Sequence, residues 1–275
     1  SQRTKATPPS TVFADATASP PSFRGSDNKV IGSTSDISKR VIYHSTDDIN
    51  TLKQLVKKNY DGYLDFLNKF KKKHNANIDI SIKDDASLAK KLQTRKIEEV
   101  SDLLRARIDV DEINQARAVA QDIKGTVKTI EFDDFLKTNT PRSDSGYRGI
   151  HLQLLTKDGM TVELQIRLKS TSEILTRSHK LYKMKASDFK TAKGLAAFEN
   201  AKDMIRMELD DAWFRALQKQ GLASDELIDQ PIHVGTYVNE AGEEMDIIKP
   251  VREFLEEDTK ELNALTALKD CPGIK

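Results

Sequence analysis

Gly146-Tyr147-Arg148-Gly149-Ile150-His151, followed across a short loop by Val162-Glu163-Leu164-Gln165-Ile166-Arg167, decides how the rest of this 275-residue chain is read. Both stretches alternate apolar and polar residues at strand spacing, and Lys157-Asp158-Gly159 between them is a turn signal. On the second strand Val162, Leu164 and Ile166 point one way, while Glu163, Gln165 and Arg167 point the other. The first strand sets His151 and Gln153 against Ile150, Leu152 and Leu154. A face with a carboxylate, two amides, an arginine and a histidine is not a core face, because buried polar groups need partners. It is either solvated surface, as in many antiparallel hairpins, or the floor of a polar cleft.

Further strands and helices surround this hairpin. A helix is expected from Ser45-Thr46-Asp47-Asp48 to about Lys73, with Ile49, Leu52, Val56, Tyr60, Tyr63, Leu67 and Phe70 at helical spacing. Its aromatics read as core. A second helix is expected from Asp84-Asp85 toward Glu99. Lys83, Ser87, Lys91 and Arg95 are spaced by four and form one ribbon along it, starting where helix N–H groups favour an anion. On spacing alone the ribbon is a solvated charged face. Residues 103–110 alternate as a strand, with Arg105, Arg107 and Asp109 outward and Asp102 at its beginning. A helix over 111–124 ending at Gly125 and a strand over 126–132 follow. Ser170-Thr171-Ser172-Glu173 reads as a capping-box start for a helix carrying His179, Tyr182 and Lys183.

Beyond residue 188, Leu195, Phe198, Ala201, Ile205, Leu209, Trp213 and Leu217 predict a long helix ending near Gly221. A hairpin over 232–238 and 245–251 and a helix over 252–268 complete the chain. The expected class is α+β, a mixed β-sheet flanked by helices with a C-terminal helix-hairpin-helix extension. Residues 1–44 are rich in Ser, Thr and Pro with almost no apolar periodicity, so they read as a disordered leader. Linker, transit segment and secretion leader all remain open for it.

Composition excludes several classes. Charged residues make up 32% of the chain, yet the net charge is only +1, so no bulk attraction to nucleic acid or membrane exists. Phosphate binding must come from local clusters. No apolar run reaches bilayer-spanning length. Cys271 is the single cysteine, which excludes an internal disulfide and fits a reducing cytosol or organelle stroma. There is no Gly-x-x-x-x-Gly-Lys-Ser/Thr stretch, so this is not a P-loop enzyme.

Gly-Tyr-Arg-Gly-Ile-His, a loop, and Val-Glu-Leu-Gln-Ile-Arg together resemble the paired signature of RelA/SpoT-type alarmone synthetases. Asp102, followed five residues later by Arg107, resembles that family's acidic strand. Ile82-Lys83 with Ser87 and Lys91 resembles its basic segment. The similarity covers about residues 45–187 and implies a synthetase domain there, leaving 188–275 as an extension.

The resemblance implies Mg²⁺-dependent transfer of pyrophosphate from ATP to a nucleotide 3′ hydroxyl, with Asp102 and Glu163 as catalytic and metal-binding carboxylates. It implies Lys83, Ser87, Lys91, Arg95 and Arg107 at the donor, and Arg142, Tyr147, His151, Gln165 and Arg167 at the acceptor. Tyr147 would stack on the acceptor base. The acceptor stays open among GTP, GDP, ATP, ADP and AMP. A tRNA 3′ end is disfavoured by the near-neutral charge. The choice between a housekeeping enzyme and a delivered toxin with an immunity partner stays open too, as does the oligomeric state. A degenerate nucleotide-binding module is the non-enzymatic alternative.

Two departures stand out: Ser81 replaces the arginine that the family places two residues before its lysine, and Ser178 stands where an acid is expected. None of the five histidines is followed by Asp, so the His-Asp mark of an alarmone hydrolase half is missing.

Overall fold

The computed structural model describes residues 12–23, 29–34, 40–136, 145–179, 181 and 184–221, and the backbone alone of 231–238 and 244–250. The chain divides into two compact units. One comprises Ser1–Asp134 with Gly149–Arg167, the other Phe135–Arg148 with Leu168–Lys275.

The first unit is built on α1 (Ile49–His74), β1 (Asn77–Ile82), α2 (Asp85–Leu92), a 3₁₀ turn at Ile97–Glu99, β2 (Leu104–Val110), α3 (Ile113–Thr126), β3 (Thr129–Asp134), β4 (Ile150–Leu155) and β5 (Thr161–Leu168). The strands form one sheet in the order β1-β2-β5-β4-β3. The pairs β1–β2, β3–β4 and β4–β5 are antiparallel. Arg167 near the end of β5 meets Asp109 near the end of β2 at 3.6 Å. These neighbours therefore run the same way, and the sheet is mixed, as expected.

Alternation divides the sheet into two faces. Leu104, Ala106 and Ile108 of β2, Leu152 and Leu154 of β4, and Val162, Leu164 and Ile166 of β5 are all buried. Each such leucine, isoleucine or valine contributes about 1.5–3 kcal/mol by leaving water. Helix α1 adds Leu52, Val56, Tyr63, Phe66, Leu67 and Phe70 to this core, and α3 adds Ile113, Ala116, Val119, Ala120 and Ile123. Asp48 caps α1, accepting from the Thr51 backbone N–H at 2.8 Å. The hairpin turn falls at Gly159, whose φ of +82° suits a residue without Cβ.

Several expectations need correction. The leader is not disordered throughout. Phe13, Ile31 and Ile42 are buried, and the Phe13 ring packs edge-on against Tyr63 and Phe66. Isolated bridges, such as Phe13 to Thr156 and His44 to Met160, tie this segment to the sheet. Three widely spaced apolar residues have no period, so their docking leaves no pattern to read. Strand β1 went unassigned although Asn77-Ile78-Asp79-Ile80-Ser81-Ile82 alternates strictly. Helix α2 stops at Leu92 instead of continuing toward Glu99. Gly125 lies inside α3, which runs on to Thr126, where the hydroxyl bonds the Asp122 and Ile123 carbonyls.

In the second unit α4 spans Lys169–Arg177 and α5 spans Ala192–Lys219. Leu168 is the N-cap of α4 and no side chain caps it, so the expected capping box at Ser170–Glu173 does not form. His179 lies past the helix end, while Tyr182 and Lys183 fall outside the described residues. Ile174, Leu181, Phe198, Ala201, Ile205 and Leu209 form the core between α4 and α5. Strands β6 (Pro231–Val238) and β7 (Glu244–Pro250) pair as the expected antiparallel hairpin, and the final helix lies outside the described residues. Among the described residues no helix is long and apolar enough to cross a membrane.

Candidate active site

The polar face of the sheet carries rows of functional groups set by strand register. Glu131, Gln153 and Glu163 line up across β3, β4 and β5, and Asp133, His151 and Gln165 form the next row. On the far side Ser81 faces Arg105 and Asp79 faces Arg107. Since β2 and β5 run the same way, Asp102, two residues ahead of β2, and Glu163, third in β5, belong to the same end of neighbouring strands.

Asp102 is the most strongly held acid in this region. Lys83 Nζ lies 2.8 Å from Oδ2 and Lys91 Nζ lies 2.9 Å from Oδ1. Burial works against its ionisation, but the two ammonium groups outweigh burial and hold the carboxyl below its ordinary range. Lys83 is placed by its backbone N–H, which donates to the Leu103 carbonyl at 2.9 Å. Lys91 comes from the last turn of α2. Two lysines expected at the donor and an acid expected at the metal therefore form one cluster.

Other expected donor-side residues sit differently. Ser87 presents its backbone N–H to the Asp84 carboxylate at 2.7 Å, so the anion at the start of α2 is the chain's own acid. Arg95 lies beyond α2 rather than on it, and its charge bears on the Tyr43 hydroxyl. The four residues do not make a continuous helical ribbon. Arg107 Nε is 2.9 Å from Asp109 Oδ2, and its Nη2 is 3.8 Å from Asp79. Asp109 also meets Arg167, so one buried carboxylate joins an arginine expected at the donor to one expected at the acceptor.

Glu163 receives a hydrogen bond from the Gln165 amide at 2.5 Å. Its backbone carbonyl accepts one from the Tyr63 hydroxyl at 2.9 Å. Burial, with the Glu163 charge behind it, pushes the Tyr63 hydroxyl well above its usual range, so it stays a donor. Directly across the strand, Gln153 is 7% exposed and its Oε1 has no hydrogen-bond partner. A buried acceptor left open on the polar face of the sheet is a place for a donor from outside the chain.

In the second unit Tyr147 is half-buried, edge-on to Phe135 at 6.1 Å. Arg142 lies outside the described residues.

Sequence reasoning missed Arg105, Asp109, Gln153 and the Tyr43–Glu131 pair. Arg105 Nε donates to Ser81 Oγ at 3.1 Å, bringing a guanidinium to the strand position where the family arginine is absent. Cross-strand pairing supplied it, and the missed strand β1 was the signal that would have found it. Tyr43 donates to Glu131 at 2.9 Å, and burial followed by the Asp133 charge raises the Glu131 carboxyl despite that bond.

Among the described residues no group of three or more His, Cys, Asp or Glu side chains gathers as a metal site. An ion here would have to draw on two carboxylates and keep most of its waters, which is how Mg²⁺ binds. Asp102 and Glu163, at one end of adjacent strands, are the two carboxylates such a hydrated ion would take, and the open Gln153 acceptor faces Glu163.

Residues 80–187 match the family model described as a region found in RelA/SpoT proteins. A GTP pyrophosphokinase of Photobacterium angustum (strain S14 / CCUG 15956) is 30% identical over 153 residues, which is 52% of this chain and 19% of the relative. The chain thus spans about a fifth of that relative's length. Small alarmone synthetase 2 from Bacillus subtilis superposes with a TM-score of 0.52 at 18% identity, covering 63% of this chain and 96% of that one. Small alarmone synthetase 1 from the same organism reaches 0.46 at 19% identity, over 63% of this chain and 100% of its own. The first of these two structures establishes the shared fold.

Proposed function

With residues 80–187 carrying the RelA/SpoT region, we propose that this chain is a nucleotide pyrophosphokinase that moves pyrophosphate from ATP to the 3′ hydroxyl of a purine nucleotide. The observation that carries this reading is the cluster of Lys83, Lys91 and Asp102 at the same strand ends as Glu163.

In the reaction the 3′ oxygen forms a bond to the β-phosphorus of ATP, the bond from that phosphorus to the α-phosphate oxygen breaks, and AMP leaves. Little covalent work falls to the protein, so catalysis is positioning and charge neutralisation. Lys83 and Lys91 neutralise the donor phosphates, and Arg105 and Arg107 flank the donor on β2. Glu163, oriented by Gln165, accepts the proton of the 3′ hydroxyl. Asp102 and Glu163 would hold Mg²⁺, whose chemistry there is to offset phosphate charge as the bridging bond breaks. By the resemblance, Arg142, Tyr147, His151, Gln165 and Arg167 would serve the acceptor.

The test is incubation of the full chain with labelled ATP, Mg²⁺ and, separately, GTP, GDP, ATP, ADP and deacylated tRNA. A 3′-pyrophosphorylated purine nucleotide is the expected product. Labelled tRNA would move the acceptor to a polynucleotide, and bound ATP with no product on any acceptor would reduce the chain to a binding module.

A further inference from the structure

Helix α5 lies entirely beyond the RelA/SpoT match, yet it buries the charged side chains Arg206, Asp210 and Asp211. Gly146 has φ +67°, and a Cβ there would stand 2.8 Å from the Arg206 carbonyl oxygen and 3.1 Å from Leu209 Cβ. The loop backbone therefore rests directly on α5. Two residues on, Arg148 is buried and makes three defined contacts. Its Nη2 is 3.4 Å from Asp210 Oδ1, its guanidinium carbon is 4.6 Å from the centre of the Trp213 ring, and its Nη1 donates to the Tyr147 carbonyl at 3.1 Å.

Asp210 and Trp213 are three residues apart on α5 and so share one side of it. Burying a guanidinium and a carboxylate is costly even when they are paired, and an apolar pair of similar volume often does as well. Packing of α5 on α4 is already served by Phe198, Ala201, Ile205 and Leu209. The ionic contact therefore needs a reason other than stability. Its geometry supplies one: the carboxylate takes one edge of the guanidinium, the indole fixes its plane, and another N–H holds the backbone of Tyr147.

We propose that Asp210 and Trp213 are positioning residues that fix Tyr147 through Arg148, which makes α5 part of the acceptor-binding apparatus. This rests on reading Tyr147 as the residue that stacks on the acceptor base. Gly146 anchors the loop on one side of the tyrosine and Arg148 on the other, so the ring is presented with its backbone already ordered. A platform ordered before binding spares the ligand that entropy.

Steady-state kinetics on the full chain separate the acceptor from the donor. Asp210→Asn and Trp213→Leu are expected to raise KM for the acceptor at least about tenfold while KM for ATP stays within about twofold. Trp213→Phe, which keeps an aromatic face under the guanidinium, is expected to stay within about threefold of the parent. Equal rises in both KM values, or no rise in either, overturn the proposal.

A second measurement needs no turnover. Trp213 is the chain's single tryptophan, so tryptophan emission reports on its surroundings, Arg148 over its ring and Phe214 at its edge. Arg148→Lys is expected to change that emission with no nucleotide present, and unchanged emission overturns the clamp. If no acceptor is turned over by the parent, the pyrophosphokinase reading fails by itself, while the emission experiment still decides the clamp.

Discussion

Lys83 places its ammonium 2.8 Å from the Asp102 carboxylate, joining a residue read as a phosphate holder to one read as a metal ligand. Both side chains are about nine-tenths shielded from solvent. In the proposed site the pair would hold the negative charge in place before substrate arrives. Phosphates entering the cluster would compete with Asp102 for Lys83 and Lys91, and a cation would compete with the lysines for Asp102. Occupation by donor and metal together would resolve both contests.

Asp102→Asn is expected to lower turnover by at least about a hundredfold. It also leaves Lys83 buried without its counter-charge, at a cost of about 3 kcal/mol in stability. Urea unfolding and initial rates measure the two effects separately. A variant as stable as the parent would mean that Lys83 finds another partner.

Glu163→Gln is expected to lower turnover by more than about a hundredfold with the fold and ATP affinity nearly unchanged. The amide keeps the size of the side chain and loses its basicity. Turnover within about tenfold of the parent would remove Glu163 from proton transfer.

Gly146→Ala is expected to destabilise the chain by about 1–3 kcal/mol, because the residue is left-handed and the new methyl meets the Arg206 carbonyl. Thermal unfolding reads the loss. An unchanged melting temperature would mean that the loop does not lie on α5.

His44 makes stability depend on pH. It is buried between the Val100 carbonyl at 2.8 Å and the Thr161 backbone N–H at 3.4 Å. The Thr161 N–H can only donate to Nδ1, so Nε2 carries the proton and donates to Val100. Burial lowers its pKa to about 4, with the Val100 bond opposing. Between pH 6.5 and 4 the unfolded chain takes up a proton that the folded chain refuses, so stability is full above that window and falls on acidification. The loss is at most about 3 kcal/mol. Urea unfolding at pH 7, 5.5 and 4.5 should show the decline. In His44→Gln the part of the slope due to this histidine should vanish, and an unchanged slope would assign the effect to other groups.

Period and turn chemistry determined much of this protein before any coordinates. The hairpin of β4 and β5, its turn at Gly159, the division of β2 into apolar and polar faces, and helices α1, α3 and α5 were all legible, because each depends on residues a few positions apart. The acids Asp102 and Glu163 were proposed only by resemblance to a family signature. What only tertiary structure decided was the set of partners. That Asp109 joins Arg107 to Arg167, that Arg105 stands beside Ser81, and that Arg148 leans on Asp210 and Trp213 are contacts between distant segments. The same holds for Phe13 filling a gap beside Tyr63. Local pattern fixes which way a side chain faces along its own element. What it meets there depends on which other element is brought alongside, and no periodicity within one segment encodes that.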